Sequence, residues 1–221
     1  VYVAWGIIRL GDRFLLHHRE DRSRSEVKNY VFPGGRFRPL DLPAEKWDAA
    51  TLRHLHKSAS RLAMGALEQT LHRELGEELK LSSEDWSATP SVVLEPYRKI
   101  EGSKNAHELT EYLIALYAIS LTPEGEARLL DQIDADQETL VWFGIEDLVD
   151  PSGRSNRKGA FIEALSAHFG GKEELKYFLQ DVRSSSTTEY MFNSKESAVE
   201  LPALPGTPVL IGGTGKEKNV R

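Results

Sequence analysis

The sequence contains no cysteine and no apolar run long enough to cross a membrane. The lack of cysteine excludes a disulfide framework, a thiolate zinc site and a cysteine nucleophile. No signal-peptide pattern is visible either, and together these absences favour a cytoplasmic protein without a membrane partner. The chain begins at Val1, inside an apolar run, so we expect a trimmed or partial chain.

Basic charge is in deficit, since 28 Lys and Arg residues stand against 34 Asp and Glu residues, for a net charge of -6. An extended nucleic-acid surface needs clustered cations, so this balance disfavours nucleic acid as a partner. A small phosphorylated substrate is compatible with it, because a bound divalent cation reverses the local field where phosphates sit.

The chain of 221 residues is long enough for one well-packed domain with an appendage. Strand-like, hairpin-like and helical patterns alternate along it, which predicts a mixed α/β sandwich. We place this domain at residues 1–182 and expect an insertion at about 38–60, where Pro39 and Pro43 interrupt the pattern. The Ser-, Pro- and Gly-rich residues 183–221 are typical of a linker and a flexible tail.

The clearest helical pattern runs from Ser60 to Lys80. Its leucines recur every four residues and form one apolar stripe, made of Leu67, Leu71, Leu75 and Leu79. Strands are predicted at 1–10, 13–19, 30–32, 91–100, 109–121 and 139–145. Further helices are predicted at 49–57, from 146, at 161–169 and at 172–182.

Three carboxylates, Glu74, Glu77 and Glu78, share one face of this helix. Like charges at this spacing repel by about 0.2–0.5 kcal/mol per pair in an exposed helix. A hard cation that takes oxygen ligands would remove the repulsion and use the geometry. The more common role of such a face is plain solvation, so the triplet by itself does not decide between the two.

Two other features favour the metal site. An apolar strand ends at Gly34 and Gly35, a backbone that only glycine tolerates easily. A second acidic cluster, Asp134, Asp136 and Glu138, precedes a late aromatic strand. Carboxylates from two parts of the chain are thereby expected near one glycine-built strand end.

These features resemble the Nudix hydrolase family. Its signature is a glycine, five residues, a glutamate, seven residues, Arg-Glu, an aliphatic residue, any residue, Glu-Glu, any residue, a glycine and an aliphatic residue. Gly35 is similar to the first glycine, and Arg73-Glu74-Leu75-Gly76-Glu77-Glu78 and Leu81 are similar to the later part. The resemblance covers roughly residues 1–170 and implies an α/β/α sandwich around a mixed central β-sheet.

The sequence departs from the signature at its centre. Residues 36–72 separate Gly35 from Arg73, far more than the signature allows, and the upstream glutamate counted back from Arg73 falls on Gly65. The late glycine is replaced by Lys80. An insertion can be accommodated, because loop-closure entropy rises slowly with length.

The resemblance implies a pyrophosphatase that cuts a diphosphate linkage with Mg²⁺ (or Mn²⁺) as its cofactor. The implied metal ligands are Glu74, Glu77, Glu78 and the Gly35 carbonyl. Arg73 would orient the carboxylates without touching the substrate.

The general base is open between Glu77, Asp136 and Glu138, with Asp134 behind them. Many members of the family place an acidic residue in the loop before the late strand. The alternative for residues 134–138 is a solvated acidic loop without a catalytic role.

The resemblance also points to a small-molecule nucleotide substrate. Pro96 resembles the ADP-ribose-hydrolysing branch and Tyr97 the diadenosine-polyphosphate branch, and Arg19 is a third candidate contact. We prefer ADP-ribose or another nucleotide sugar over nucleoside triphosphates and dinucleoside polyphosphates. The rival functions are a non-catalytic nucleotide-sensing module and an RNA-decapping protein, and a homodimer is left open.

Overall fold

The computed structural model describes residues 1–19, 29–42, 61–101, 108–149 and 163–186, together with two short strands nearer the end of the chain. The strands are β1 (Tyr2–Ile7), β2 (Arg9–Leu10), β3 (Arg13–Arg19), β4 (Asn29–Val31), β5 (Gly34–Arg36), β6 (Trp86–Val93), β7 (Tyr97–Glu101), β8 (Glu108–Leu121), β9 (Leu140–Gly144), β10 (Met191–Phe192) and β11 (Leu210–Ile211). The helices are α1 (Arg61–Leu79), α2 (Pro123–Ala135), α3 (Ile145–Val149), α4 (Glu163–Phe169) and α5 (Lys172–Asp181), and a 3-10 helix covers Pro39–Asp41.

The first sheet has the order β5-β1-β8-β6, and β7 also pairs with β8. Strands β1 and β8 run parallel, with Tyr2 opposite Leu113 and Ile7 opposite Ala118, whereas the other pairings are antiparallel. This sheet is therefore mixed, and with helices packed on it the chain belongs to the α/β class that the sequence predicts.

The second sheet is built around β3, which pairs with β2, β4 and β9. The late aromatic strand lies directly against the early one, since Leu15 is opposite Trp142 and His17 is opposite Leu140. His17 and the turn before β9 are thus brought to the same end of this sheet.

Two large buried clusters form the core of the part of the chain that the structure describes. One packs one face of both sheets against α3, α4 and α5, and the other packs the opposite face of both sheets against α1 and α2. The predicted leucine stripe is buried in the second cluster, where Leu67, Leu71, Leu75 and Leu79 are at most 1% exposed. Each such side chain stabilises the fold by about 1.5–3 kcal/mol, which fixes how α1 is rotated about its axis.

Two segments differ from the sequence prediction. The acidic stretch before β9 is a loop only in part: Asp134 lies in the last turn of helix α2, whereas Asp136 and Glu138 lie in the turn that follows it. The side chain of Thr122 caps this helix by accepting from the Gly125 N–H at 3.1 Å, and Pro123 opens it. The single strand predicted at 91–100 is two strands, β6 and β7, because the chain bends at Leu94-Glu95-Pro96.

The packed chain also continues past residue 182. Ser185 donates its N–H to the Arg9 carbonyl of β2 at 2.7 Å and accepts from the Leu121 N–H of β8 at 2.7 Å. Residues 184–186, expected in a linker, therefore connect the two sheets. The helix predicted at 49–57 and most of the insertion lie outside the described residues, and none of the described helices is long and apolar enough to cross a membrane.

Candidate functional site

Two glycines at the start of β5 allow α1 to approach the sheet closely. Gly34 adopts φ +133°, and a Cβ there would lie 3.0 Å from the Trp5 Cα and closer still to the Ala4 carbonyl oxygen. A Cβ on Gly35 would lie 2.7 Å from Oε2 of Glu74 and nearer to the rest of that carboxylate. The Glu74 carboxylate thus occupies the space that a side chain at residue 35 would take.

Glu78, one turn further along α1, reaches the same strand end. Its Oε2 accepts the Gly34 N–H at 2.8 Å, and its Oε1 lies 3.3 Å from Nδ1 of His17 on β3. The side chains of Glu74 and Glu78 are only 10% and 12% exposed, whereas that of Glu77 is 49% exposed. Two of the three predicted carboxylates are therefore enclosed against Gly34 and Gly35, the pair of residues that we call the glycine turn. The third carboxylate faces solvent.

Arg73 holds this arrangement from the side. Its Nη1 donates to Oε1 of Glu74 at 2.6 Å and lies 3.5 Å from Oε2 of Glu77. Its Nη2 donates to the Arg36 carbonyl at 2.9 Å, and its Nε donates to Oδ1 of Asp41 at 2.7 Å. The guanidinium is thus fixed between the strand, the helix and the 3-10 turn.

Asp41 is a residue of this network that the sequence interpretation missed. It is buried, and its Oδ2 accepts from the Thr70 hydroxyl at 2.8 Å and from the Arg38 N–H at 2.9 Å. The signal was available, because Asp41 is the sixth residue after Gly35, where the signature places its first glutamate. Counting back from Arg73 across the insertion led to Gly65 instead.

The electrostatics of this pair favour both charged forms. Burial alone would raise the pKa of Asp41, but the hydrogen bonds from Arg73, the Arg38 backbone and Thr70 outweigh it and lower that pKa. The hydrogen bond to Asp41 likewise raises the pKa of Arg73 despite its partial burial. Arg73 is therefore a permanent cation against Glu74.

The second acidic cluster lies at the end of the other sheet. Asp136 caps the end of α2, and its Oδ1 accepts the Thr139 N–H at 3.1 Å. Glu138 is exposed in the same turn. The Thr139 carbonyl accepts from the His18 N–H at 2.7 Å, which places the turn beside β3. Within the described ranges, neither Asp136 nor Glu138 bonds to the glutamates of α1.

Pro96 and Tyr97 line a cleft of about 660 Å³ between the β7–β8 hairpin and α4. Its lining residues are Glu95, Pro96, Tyr97, Arg98, Glu111, Ala167 and His168. The volume is in the range of small-molecule sites. Nδ1 of His168 accepts the Glu95 N–H at 2.9 Å and fastens α4 to the hairpin. Of the third substrate candidate, Arg19, the structure describes only the backbone, which pairs with Asn29.

A chain of contacts joins the cleft to the glycine turn. The ring centroids of Tyr97 and Tyr112 lie 6.4 Å apart. Nη2 of Arg36 donates to the Tyr112 hydroxyl at 2.7 Å, and the guanidinium lies 5.5 Å from the Tyr112 ring centroid. Arg36 directly follows Gly35, but its side chain lies with Val3 and Tyr112 on the face of the sheet opposite to Glu74. The cleft and the enclosed carboxylates therefore lie on opposite faces of the edge strand β5.

The donor set fits a hard divalent cation in its chemistry, since the three glutamates offer only oxygen ligands and Gly35 admits a carboxylate against the backbone. Among the residues that the structure describes, no three Asp, Glu or His side chains already stand together as a metal site. Glu74 is held by Arg73 and Glu78 by Gly34. A cation would compete with these contacts, and the exposed Glu77 is the carboxylate that can turn toward it.

No protein-family model and no curated protein sequence matches the chain. Among solved structures, it is similar to the NrtR protein of Shewanella oneidensis, crystallised with a 27mer DNA, at 15% identity and a TM-score of 0.36. The match covers 79% of this chain and 58% of that one, so the chain spans less than two thirds of its length. A likeness at this level identifies neither a family nor a function.

Proposed function

We propose that this protein is a Nudix-type hydrolase that cleaves a diphosphate linkage in a nucleoside diphosphate joined to a second moiety, with ADP-ribose or a nucleotide sugar preferred. The observation that carries the proposal is the enclosure of Glu74 and Glu78 against Gly34 and Gly35. These residues come from distant parts of the chain, and a purely solvated acidic helix face would have no reason to enclose two carboxylates there, with Glu74 buried and Glu78 half-buried. An α/β/α sandwich of the Nudix type is part of the same proposal.

The chemistry assigns a distinct task to each group. A bound Mg²⁺ or Mn²⁺ would neutralise phosphate oxygens and lower the pKa of a bound water. Glu74, Glu78 and the Gly35 carbonyl would hold it, with Glu77 beside them. Arg73 keeps the Glu74 carboxylate turned toward the glycine turn, because its guanidinium is itself fixed by Asp41.

The general base is proposed among Glu77, Asp136 and Glu138. Glu77 is exposed and adjoins the enclosed pair, so it can accept a proton from water at the reacting phosphorus. Asp136 and Glu138 lie at the turn beside β3, and either would act only if that turn closes toward the diphosphate. Separate Glu77→Gln, Asp136→Asn and Glu138→Gln variants assign the role by which one removes the acidic limb of the pH–rate profile, since a general base loses activity when it is protonated.

The cleft at Pro96 and Tyr97 supports a substrate with a ring on one side of the diphosphate. It is large enough for a nucleoside and carries an aromatic face at Tyr97. With the phosphates beside Gly35, the nucleoside would have to pass the edge strand β5 to reach the cleft, where the Arg36 cation contacts Tyr112.

The decisive test compares Glu78→Gln with Glu84→Gln, which changes an exposed glutamate outside the site. Hydrolysis of ADP-ribose, a nucleotide sugar, a dinucleoside polyphosphate and a nucleoside triphosphate is measured with and without Mg²⁺. We expect metal-dependent turnover of at least one substrate, lost in Glu78→Gln and kept in Glu84→Gln. Turnover that persists in Glu78→Gln would contradict the proposal.

A nucleotide-sensing module without turnover is the second candidate, and one observation favours it. Arg73 already satisfies Glu74, and within the described part of the chain no three ligands are preassembled for an ion. The same experiment separates the two, because a sensor binds a nucleotide tightly in calorimetry and releases no product with any of the four substrates.

A further inference from the structure

His17 is the one imidazole that contacts the enclosed carboxylates among the residues described. Its Nδ1 lies 3.3 Å from Oε1 of Glu78, and its side chain is 17% exposed. The next histidine along β3, His18, points to the opposite face and packs on Tyr30, with ring centroids 5.2 Å apart. Two adjacent histidines thus have different surroundings, and only one of them faces the site.

We propose that His17 is a nitrogen ligand of the divalent cation, sharing it with Glu78, and that the site therefore favours Mn²⁺ over Mg²⁺. The inference rests on the proposed function, because it concerns the cation of the same site. Glu78 Oε2 is held by the Gly34 N–H, so its Oε1 is the oxygen turned toward His17. An ion that draws on this oxygen lies next to Nδ1.

The ligands would then come from two elements. His17 is fixed on β3 by its pairing with Val31 on one side and Leu140 on the other. Glu78 is fixed on α1, whose leucine stripe is buried. Neither backbone needs to move for a nitrogen and an oxygen to converge, and a neutral imidazole with its hydrogen on Nε2 presents a lone pair at Nδ1.

The consequence for metal choice follows from donor chemistry. Mg²⁺ binds oxygen ligands and gives up its waters reluctantly. Mn²⁺ also binds oxygen ligands, but it belongs to the first-row transition ions, the group whose later members favour imidazole. A purely carboxylate site would separate Mg²⁺ and Mn²⁺ by a smaller factor. The ratio of the two affinities therefore reports whether the nitrogen takes part.

The test measures Mn²⁺ and Mg²⁺ binding by calorimetry in the wild type, His17→Gln and the matched control His18→Gln. We expect His17→Gln to weaken Mn²⁺ binding by roughly tenfold and Mg²⁺ binding far less, with no such difference in His18→Gln. A merely structural role for His17 would weaken both ions by the same factor, and that result overturns the proposal.

Pulsed electron paramagnetic resonance with Mn²⁺ gives a second reading, and a ¹⁴N coupling is expected in the wild type. Its disappearance in a folded His17→Gln variant assigns the coupled nitrogen to His17. If Mn²⁺ binds and hydrolysis depends on Glu78 but no ¹⁴N coupling appears, the nitrogen ligand is refuted while the proposed function stands. If the wild type takes up neither ion, both fail together.

Discussion

At the scale of single residues, the missing side chain at position 35 decides how close Glu74 comes to the strand. Gly35→Ala would place a methyl group inside the Glu74 carboxylate, 2.7 Å from Oε2 and closer to Oε1. We expect kcat/KM to fall by about 100-fold, because a misplacement of about 1 Å at a reacting centre has that effect. The measurement is steady-state hydrolysis alongside thermal unfolding.

Gly76 supplies the matched control on the same helix. A Cβ there would lie 3.5 Å from the Leu81 carbonyl oxygen, which is ordinary van der Waals contact. Gly76→Ala should leave hydrolysis unchanged and raise the free energy of unfolding by about 0.5–1 kcal/mol, since alanine is the better helix former. Equal losses of activity in both variants would contradict the role given to Gly35.

Asp41 links the site to acid stability. Its pKa is lower in the folded protein than in the unfolded chain, so its ionised form favours folding. This contribution is complete above the unfolded pKa of about 4 and is lost as the pH falls through the lower folded value. In urea unfolding between pH 2 and 6, Asp41→Ala should lower stability at pH 6 by about 3 kcal/mol and flatten its fall in acid.

Asp131, exposed on α2, is the control for that measurement. Asp131→Ala should keep the wild-type dependence on pH within about 0.5 kcal/mol. A fall in acid that is equally steep with and without Asp41 would show that its ion pair with Arg73 adds nothing to folding.

The sequence predicted the shared face of the three glutamates but neither their exposure nor the role of Asp41. The helical spacing placed Glu74, Glu77 and Glu78 on one face, and Glu74 and Glu78 do reach the glycine turn. Helical spacing cannot tell which carboxylate is enclosed, because that depends on how α1 is rotated against β5. Asp41 was missed because the insertion shifts the residue count back from Arg73. In the folded protein the Arg73 Nε and the Asp41 Oδ1 are nevertheless only 2.7 Å apart.

At the scale of elements, the segment 184–186 acts as a clasp between the sheets. The Ser185 hydroxyl accepts from the Arg9 N–H at 2.9 Å, in addition to its two backbone bonds. Ser185→Ala should lower the free energy of unfolding by about 1 kcal/mol, because it leaves a backbone N–H without its acceptor. Urea unfolding of the full chain measures this change.

Ser184 is the neighbouring control, since it is exposed and, within the described residues, its hydroxyl bonds to the nearby Ser186 carbonyl and N–H. Ser184→Ala should change stability by less than about 0.5 kcal/mol. If residues 184–186 were only a linker, the two serine variants would have the same free energy of unfolding.

Elements were predictable where one local pattern fixed them. The stripe of leucines located α1 to within a residue at each end, because apolar residues repeated every four positions are buried together only if the segment is a helix. Helix α2 was missed although Thr122 and Pro123 form a helix start, since its acidic residues resemble a loop. The clasp was missed for another reason: its bonds join backbone groups more than 60 residues apart in sequence, which serine-rich composition does not reveal.

At the scale of the whole molecule, the pairing of β1 with β8 sets the relation between the site and the cleft. Alternating strands and helices predicted the α/β class, but no local pattern matches residues 2–7 with 113–118. That pairing places the β7–β8 hairpin beside β5, so that Tyr112 receives the Arg36 hydrogen bond. The position of the cleft relative to the carboxylates, with Tyr112 and Arg36 on the face of the sheet opposite to α1, is therefore a property of the topology.

The proposed function assigns binding to the cleft and chemistry to the glutamates, and Tyr97 can test this division. The side chain lines the cleft and packs against Tyr112, away from the enclosed glutamates. Tyr97→Ala should raise KM for a nucleotide substrate about tenfold and leave kcat nearly unchanged, because it removes a contact made equally in the ground and transition states. Tyr177→Ala, which removes an exposed tyrosine of α5, should alter neither constant.

The opposite result, a lower kcat at an unchanged KM, would mean that the nucleoside does not bind in the cleft. If kcat fell in Tyr97→Ala while KM stayed constant, the ring would lie against the reacting groups and the cleft would hold the leaving moiety or nothing. Thermal unfolding of both tyrosine variants separates a binding effect from lost packing, since loss of the Tyr112 contact lowers the melting temperature but does not by itself raise KM. A selective rise in KM at an unchanged melting temperature therefore places the nucleoside between the hairpin and α4.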